Sequence, residues 1–95
     1  MKKYFVVSLI KNGILGGGII ADSEAATYRT GKLTVPQKYR NLVMKYNEIS
    51  EVKSGWAFIL PTVTIKMKNG EEYKFAIFFS RRRLIDTLKS AGANI

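Results

Sequence analysis

The sequence predicts an all-β domain with one C-terminal helix. Short apolar segments alternate with Gly, Asn and Asp turn signals through most of the 95 residues, a pattern typical of antiparallel strands. Only after residue 80 do apolar residues recur at helical spacing, at Leu84, Ile85, Leu88 and Ala91. Hydrophobic residues make up 46% of the chain, enough for a folded core. We expect one domain over residues 1–95, with strands over residues 3–79 and a helix over residues 81–91.

The first half of the chain holds the predicted strands 3–11, 14–21, 25–30 with a continuation at 33–35, and 38–46. Asn12-Gly13 is a hairpin signal between the first two. The positively charged N-terminus and the apolar run after it imitate a signal peptide, but Lys11 breaks the run and no cleavage site follows, which favours a first strand. The glycines at residues 16–18 lack the Lys and Ser/Thr of a phosphate-binding loop. We expect them to let the strand bend, and to leave room for a large side chain such as Trp56.

A bulged hairpin is predicted in the second half of the chain. After a short strand marked by Ile49 and Val52, residues 56–68 form one strand with Val63, Ile65 and Met67 on one face. A two-residue turn at Asn69-Gly70 would put the apolar faces of this strand and the next on opposite sides, which a shared core forbids. A three-residue loop with Gly70 in the left-handed conformation restores the register. Ile65 then opposes Tyr73, Val63 opposes Phe75, and the last strand runs through Ile77 to Phe79.

Three arginines occupy the predicted start of the helix. Ser80 is the expected N-cap, and Phe79 and Leu84 are placed for a hydrophobic staple. A helix N-terminus is partially positive, so cations there oppose the helix dipole. By helical angle, Arg81 lies beside the apolar stripe and should extend its head to a carboxylate or carbonyl at the rim of the sheet.

The other two arginines are less easily explained. Arg82 lies near Asp86, and Arg83 faces away with no evident partner. Arg82 and Arg83 are therefore the candidate anion-binding residues, the alternative being that both are simply solvated.

Several segments resemble the bacterial pleckstrin-homology-like (PH-like) and GRAM-type domain family. They are residues 46–52 (YNEISEV), residues 63–70 (VTIKMKNG) followed by YKF at 73–75, and FSR at 79–81 leading into the helix. The resemblance implies a bent antiparallel barrel of about seven strands capped by the C-terminal helix, and a role in binding lipids or proteins. The basic run that marks phosphoinositide binders of the family is missing, since only Lys11 lies near the first hairpin turn.

Composition argues against catalysis. The chain has neither Cys nor His, which excludes thiol nucleophiles, imidazole acid–base chemistry and the usual zinc sites. None of its seven acidic residues is marked as part of an acid–base pair. We therefore expect no enzymatic activity, no metal and no cofactor. The absence of Cys suits the cytoplasm.

The net charge of +9 favours anionic partners as a class. We expect a non-catalytic binding module that docks a protein or self-associates, with exposed strand edges as the surfaces available for either. The first alternative is peripheral binding to anionic lipid headgroups at the inner membrane face, with Lys66 and Lys68 as the membrane-facing residues. For these lysines, a solvated sheet face is the competing interpretation. The second alternative is weak nucleic-acid binding, without a recognisable motif.

Overall fold

The computed structural model describes residues 2–11, 13–31 and 37–91. The predicted strand at residues 33–35 lies outside this part of the chain. The described elements, in chain order, are β1 (Lys3–Ile10), β2 (Ile14–Ala21), β3 (Ala25–Arg29), a 3₁₀ turn (Gln37–Tyr39), β4 (Asn41–Lys45), a second 3₁₀ turn (Tyr46–Glu48), β5 (Ile49–Ala57), β6 (Leu60–Met67), β7 (Glu72–Ala76) and α1 (Arg81–Ser90).

The seven strands form one curled antiparallel sheet in the order β4-β3-β2-β1-β7-β6-β5, so β1 joins its two halves. In β1, alternate residues face inward, namely Phe5, Val7 and Leu9. In β5, a bulge between Ile49 and Glu51 interrupts the alternation. Leu84 and Leu88 of α1 are fully buried against this core, so the helix closes one end of the curled sheet. The predicted fold class, all-β with one capping C-terminal helix, is confirmed.

The predicted bulged hairpin is also confirmed. Ile65 pairs with Tyr73 and Val63 with Phe75, in the register that a shared core requires. The loop closes with a hydrogen bond from the Gly70 N–H to the Met67 carbonyl, 3.0 Å long, and Gly70 has a φ of 95°. This left-handed backbone is the reason that the turn needs glycine.

Other strand boundaries were predicted wrongly. The predicted strand at 56–68 is divided by a turn at Phe58-Ile59, so Trp56 belongs to β5 and pairs with Pro61 of β6. Phe58 has a φ of 57°, which places a left-handed residue first in the turn, as type II′ turns require. The last strand ends at Ala76 rather than Phe79, and residues 38–46 begin with a 3₁₀ turn before β4.

The bend of β2 is filled by Tyr28, not by Trp56. Gly17 pairs with Val7 and faces inward, and a Cβ atom there would lie 2.9 Å from the Tyr28 ring. The Tyr28 hydroxyl donates a 2.6 Å hydrogen bond to the Leu15 carbonyl, and its ring lies 5.5 Å from that of Phe75. Trp56 remains 64% exposed near the helix end of the molecule.

Candidate binding surface at the helix start

The start of α1 differs from the predicted capping arrangement. Ser80 has φ 69° and ψ 18°, and its side chain makes no capping hydrogen bond. An N-cap side chain normally accepts from the first helical turn with an extended backbone, and the left-handed backbone of Ser80 does not have that geometry. The predicted staple is also wrong, because Phe79 is 85% exposed whereas Leu84 is buried. The first helical turn therefore relies on its backbone bonds, such as Leu84 N–H to the Ser80 carbonyl.

Arg81 ties the helix start to β5. Its Nη1 donates a 2.8 Å hydrogen bond to the carbonyl of Gly55, and its guanidinium carbon lies 5.1 Å from the centre of the Trp56 ring. The predicted contact with a carbonyl at the rim is thus confirmed. A guanidinium over an indole adds a cation–π attraction, so Arg81 is held at two points.

Arg83 ties the helix start to β1, which the sequence did not predict. Its Nη2 donates a 3.0 Å hydrogen bond to the Tyr4 carbonyl, and its guanidinium carbon lies 4.8 Å from the centre of the Phe5 ring. The statement that Arg83 lacks a partner is therefore wrong. The hydrogen bond joins residues 79 positions apart, and no local pattern reports such a contact.

Arg82, between these two anchors, points to solvent. Arg82 and Asp86 are both exposed, and within the described residues no ion pair joins them. Of the three arginines, Arg82 is the one that makes no hydrogen bond, ion pair or ring contact with the described residues. Anion binding by Arg82 and Arg83 stays a prediction.

Five exposed apolar side chains lie in the segment just before α1 and at the end of β5 with the turn after it, and we call them the aromatic end. They are Trp56, Phe58, Ile59, Phe78 and Phe79. A 2.9 Å hydrogen bond from the Ile77 N–H to the Pro61 carbonyl places the segment after β7 beside the β5–β6 turn, which brings the two groups together. Phe58 is fully exposed. Two features of the sequence indicate this cluster: Trp56 to Leu60 are five consecutive apolar residues, and Phe78 and Phe79 are adjacent. Successive side chains of an extended chain point to opposite sides, so a core on one side cannot bury all residues of either run.

Lys66 and Lys68 lie at the opposite end of β6. Strand geometry puts Met67 about 23 Å from Leu60, which borders the aromatic end. Both lysines are exposed, and Lys66 is flanked by Glu51 on β5 and Glu72 on β7. The structure therefore does not bring Lys66 and Lys68 together with Arg82 and Arg83, and a membrane-facing role for the lysines stays a prediction.

Two of the acidic residues have structural hydrogen bonds. Asp22 accepts backbone hydrogen bonds from the N–H groups of Glu24 and Ala25, which hold the pKa of its carboxyl below the usual range. The Tyr73 hydroxyl donates to the Glu71 carboxylate, and burial together with that carboxylate raises the pKa of Tyr73. Within the described part of the chain, no three Asp or Glu side chains are grouped to hold a metal ion.

No helix of the described residues is long and apolar enough to span a bilayer.

Comparison with known proteins supports the fold. No family model and no curated protein matches the sequence. Among solved structures, the C-terminal domain of an unknown protein from Leishmania infantum has a TM-score of 0.77 at 12% identity, covering 95% of this chain and 81% of that one. The PH domain of human oxysterol-binding protein-related protein 11 has a TM-score of 0.70 at 10% identity, covering 99% of this chain and 83% of that one. The chain thus has a PH-like fold.

Proposed function

We propose that the chain is a non-catalytic binding module that associates peripherally with anionic membrane surfaces through its aromatic end. The observation that carries the proposal is the exposure of five apolar side chains beside the arginine-bearing start of α1. Exposed apolar patches of this kind mark interaction surfaces. The sequence alone indicated positive charge but no exposed apolar group that could insert into a membrane. The side chains of the aromatic end are such a group.

Apolar insertion and charge attraction would act together at this surface. Phe58 and Ile59 at the tip of the β5–β6 turn have the exposure needed to enter the headgroup region, and Trp56 is of the type enriched at membrane interfaces. Arg82 is exposed in the first turn of α1, and a cation close to an anionic surface contributes about 1 kcal/mol. The net charge of +9 attracts the whole molecule to the same kind of surface.

Vesicle co-sedimentation tests the proposal. We expect the protein to bind vesicles of phosphatidylcholine and phosphatidylserine much more than pure phosphatidylcholine, and binding to fall in high salt. Phe58→Ser should lower the partition coefficient about tenfold, because its ring no longer leaves water on binding. Arg82→Ala should lower it about fivefold.

The matched control is Ile14→Ser. Ile14 is similarly apolar and 61% exposed, but it begins β2 beside the first hairpin turn, away from the aromatic end. Its replacement should leave vesicle binding unchanged. Equal binding to both kinds of vesicle, or an equal loss in the Phe58 and Ile14 variants, would contradict the proposal.

Protein docking, the function favoured from the sequence, is the second candidate. The observation in its favour is that one edge of β1 has no partner strand from Lys3 to Val7 among the described residues. Self-association is opposed by the net charge of +9, since two copies repel each other. Membership of the bacterial PH-like or GRAM-type family, a cytoplasmic location and weak nucleic-acid binding stay predictions.

A further inference from the structure

The edge of β1 that faces away from β2 is open over about half of its length. β1 pairs with β2 from Lys3 to Ile10, but with β7 only from Ser8 to Ile10. After Ala76 the chain leaves β1, and the Ile77 N–H bonds to the Pro61 carbonyl on the β6 side. Among the described residues, no strand lies against this edge between Lys3 and Val7, a length of about 17 Å.

The open edge presents backbone hydrogen-bonding groups in a known orientation. The Tyr4 carbonyl points to this edge, because it accepts the hydrogen bond from Arg83. Backbone groups of alternate residues in a strand point to the same side, so Val6 directs both its N–H and its carbonyl to the open edge. The Tyr4 carbonyl is already bonded to Arg83, so the N–H and carbonyl of Val6 are the groups that a further strand would pair with. The side chain of Val6 itself is 88% exposed.

A cleft of about 370 Å³ adjoins this edge. Its walls are the β1 residues Tyr4, Phe5 and Val6 on one side and residues 78–80 on the other, with Arg83 also lining it. Among the described residues, the lining includes a guanidinium and several apolar side chains but no carboxylate. The cleft therefore combines unpaired backbone groups, apolar walls and positive charge.

We propose that this edge accepts an extended acidic peptide of about five residues as an added strand. Strand addition supplies backbone hydrogen bonds from Val6, while the side chains of the peptide alternate between its two faces. Apolar residues at alternate positions would contact Tyr4 and Phe78, and carboxylates would face Arg83. The proposal rests on the second candidate function, protein docking, and not on the membrane proposal, although Phe78 and Phe79 belong to both surfaces.

Amide hydrogen exchange by NMR on the full chain provides the test. The probe is a blocked peptide of alternating Glu and Ile, and the reporter is the amide of Val6. We expect this amide to exchange rapidly in the free protein and at least tenfold more slowly with saturating peptide. The amide of Phe5 points towards β2 by the same alternation and should not change, which makes it the internal control.

Two control peptides separate strand addition from general charge attraction. A peptide N-methylated at the positions that would face β1 keeps its charge but cannot pair, so it should not protect Val6. A peptide with Lys in place of Glu should not bind. The proposal is overturned if the N-methylated peptide protects Val6 equally, or if the acidic peptide does not protect it.

Other occupants of the edge would give different results. Protection of Val6 that rises with protein concentration in the absence of peptide would assign the edge to a second copy. Protection by anionic vesicles but not by the peptide would assign it to the membrane. Either result overturns the peptide proposal. Conversely, vesicle binding that fails while the peptide protects Val6 would reject only the membrane proposal.

Discussion

Gly17 determines how closely β2 can approach the residues packed against it. A Cβ atom at this position would lie 2.5 Å from the Arg29 carbonyl and 2.9 Å from the Tyr28 ring. The carbonyl belongs to the backbone of β3 and cannot rotate away, and the Tyr28 hydroxyl is fixed by its bond to the Leu15 carbonyl. An added methyl group must therefore displace β3 or expel the ring.

We expect Gly17→Ala to lower the free energy of unfolding by about 2–3 kcal/mol, the upper part of the range for overpacking of a core, because the clash includes backbone. Urea denaturation followed by circular dichroism measures this change. Gly31→Ala is the matched control, because an added Cβ at Gly31 meets no described residue within 4 Å. That variant should be as stable as the parent or slightly more so. A Gly17 variant as stable as the Gly31 variant would show that Tyr28 has another place to pack.

Arg81 and Arg83 show how far a single residue of the site could be predicted. The contact of Arg81 follows from its position beside the Leu84 and Leu88 stripe, which the helical period reveals. The partner of Arg83 lies on β1, 79 residues earlier, and depends on how α1 is oriented across the sheet. Local periodicity specifies which face of a helix is buried, but not which strand lies under each of its ends.

Two hairpins also differ in whether local sequence or tertiary contacts determine their structure. The β6–β7 turn was predictable, because Asn69-Gly70 signals a turn and the inward-facing strand residues specify its register. The β5–β6 turn was not, because Phe58 and Ile59 are strand formers and neither is a turn residue. Tertiary pairing of Ala57 with Leu60 overrides that preference and forces Phe58 into the left-handed region. A local rule broken in this way often marks a functional position.

We expect Phe58→Gly to raise the free energy of unfolding by about 1 kcal/mol. The left-handed backbone is costly for a residue with a side chain and available to glycine, and the exposed ring of Phe58 loses little packing. Thermal or urea unfolding measures the gain. The same variant should bind anionic vesicles more weakly, so stability and binding change in opposite directions.

Ile59→Gly is the control for the backbone effect. Ile59 is also exposed, but it is not among the described residues with positive φ, so glycine relieves no strain there. This variant should lose vesicle binding without gaining stability. If Phe58→Gly is instead less stable than the parent, the Phe58 ring makes contacts in solution that the exposed turn does not show.

At the scale of the whole molecule, the two predicted basic sites lie at opposite ends. Arg82 and Arg83 lie beside the aromatic end, whereas Lys66 and Lys68 lie at the far end of β6, about 23 Å along the strand. At physiological ionic strength, charges more than about 8 Å from a surface are largely screened from it. One orientation on a membrane therefore uses one pair and leaves the other in solvent. The sequence predicted both pairs equally, because net charge contains no information on their arrangement.

Charge reversal separates the two orientations, and Trp56 reports which end is bound. We expect Arg82→Glu to weaken binding to phosphatidylserine vesicles at least tenfold, because a repelled charge replaces an attracted one near the surface. Lys68→Glu makes the same change in net charge at the other end and should weaken binding by no more than about twofold.

The chain has one tryptophan, so a blue shift of its emission on binding reports that Trp56 has entered the interface. A larger loss of binding in the Lys68 variant, with Trp56 emission unchanged, would place the membrane at the β6–β7 end and reject the aromatic end as the docking surface.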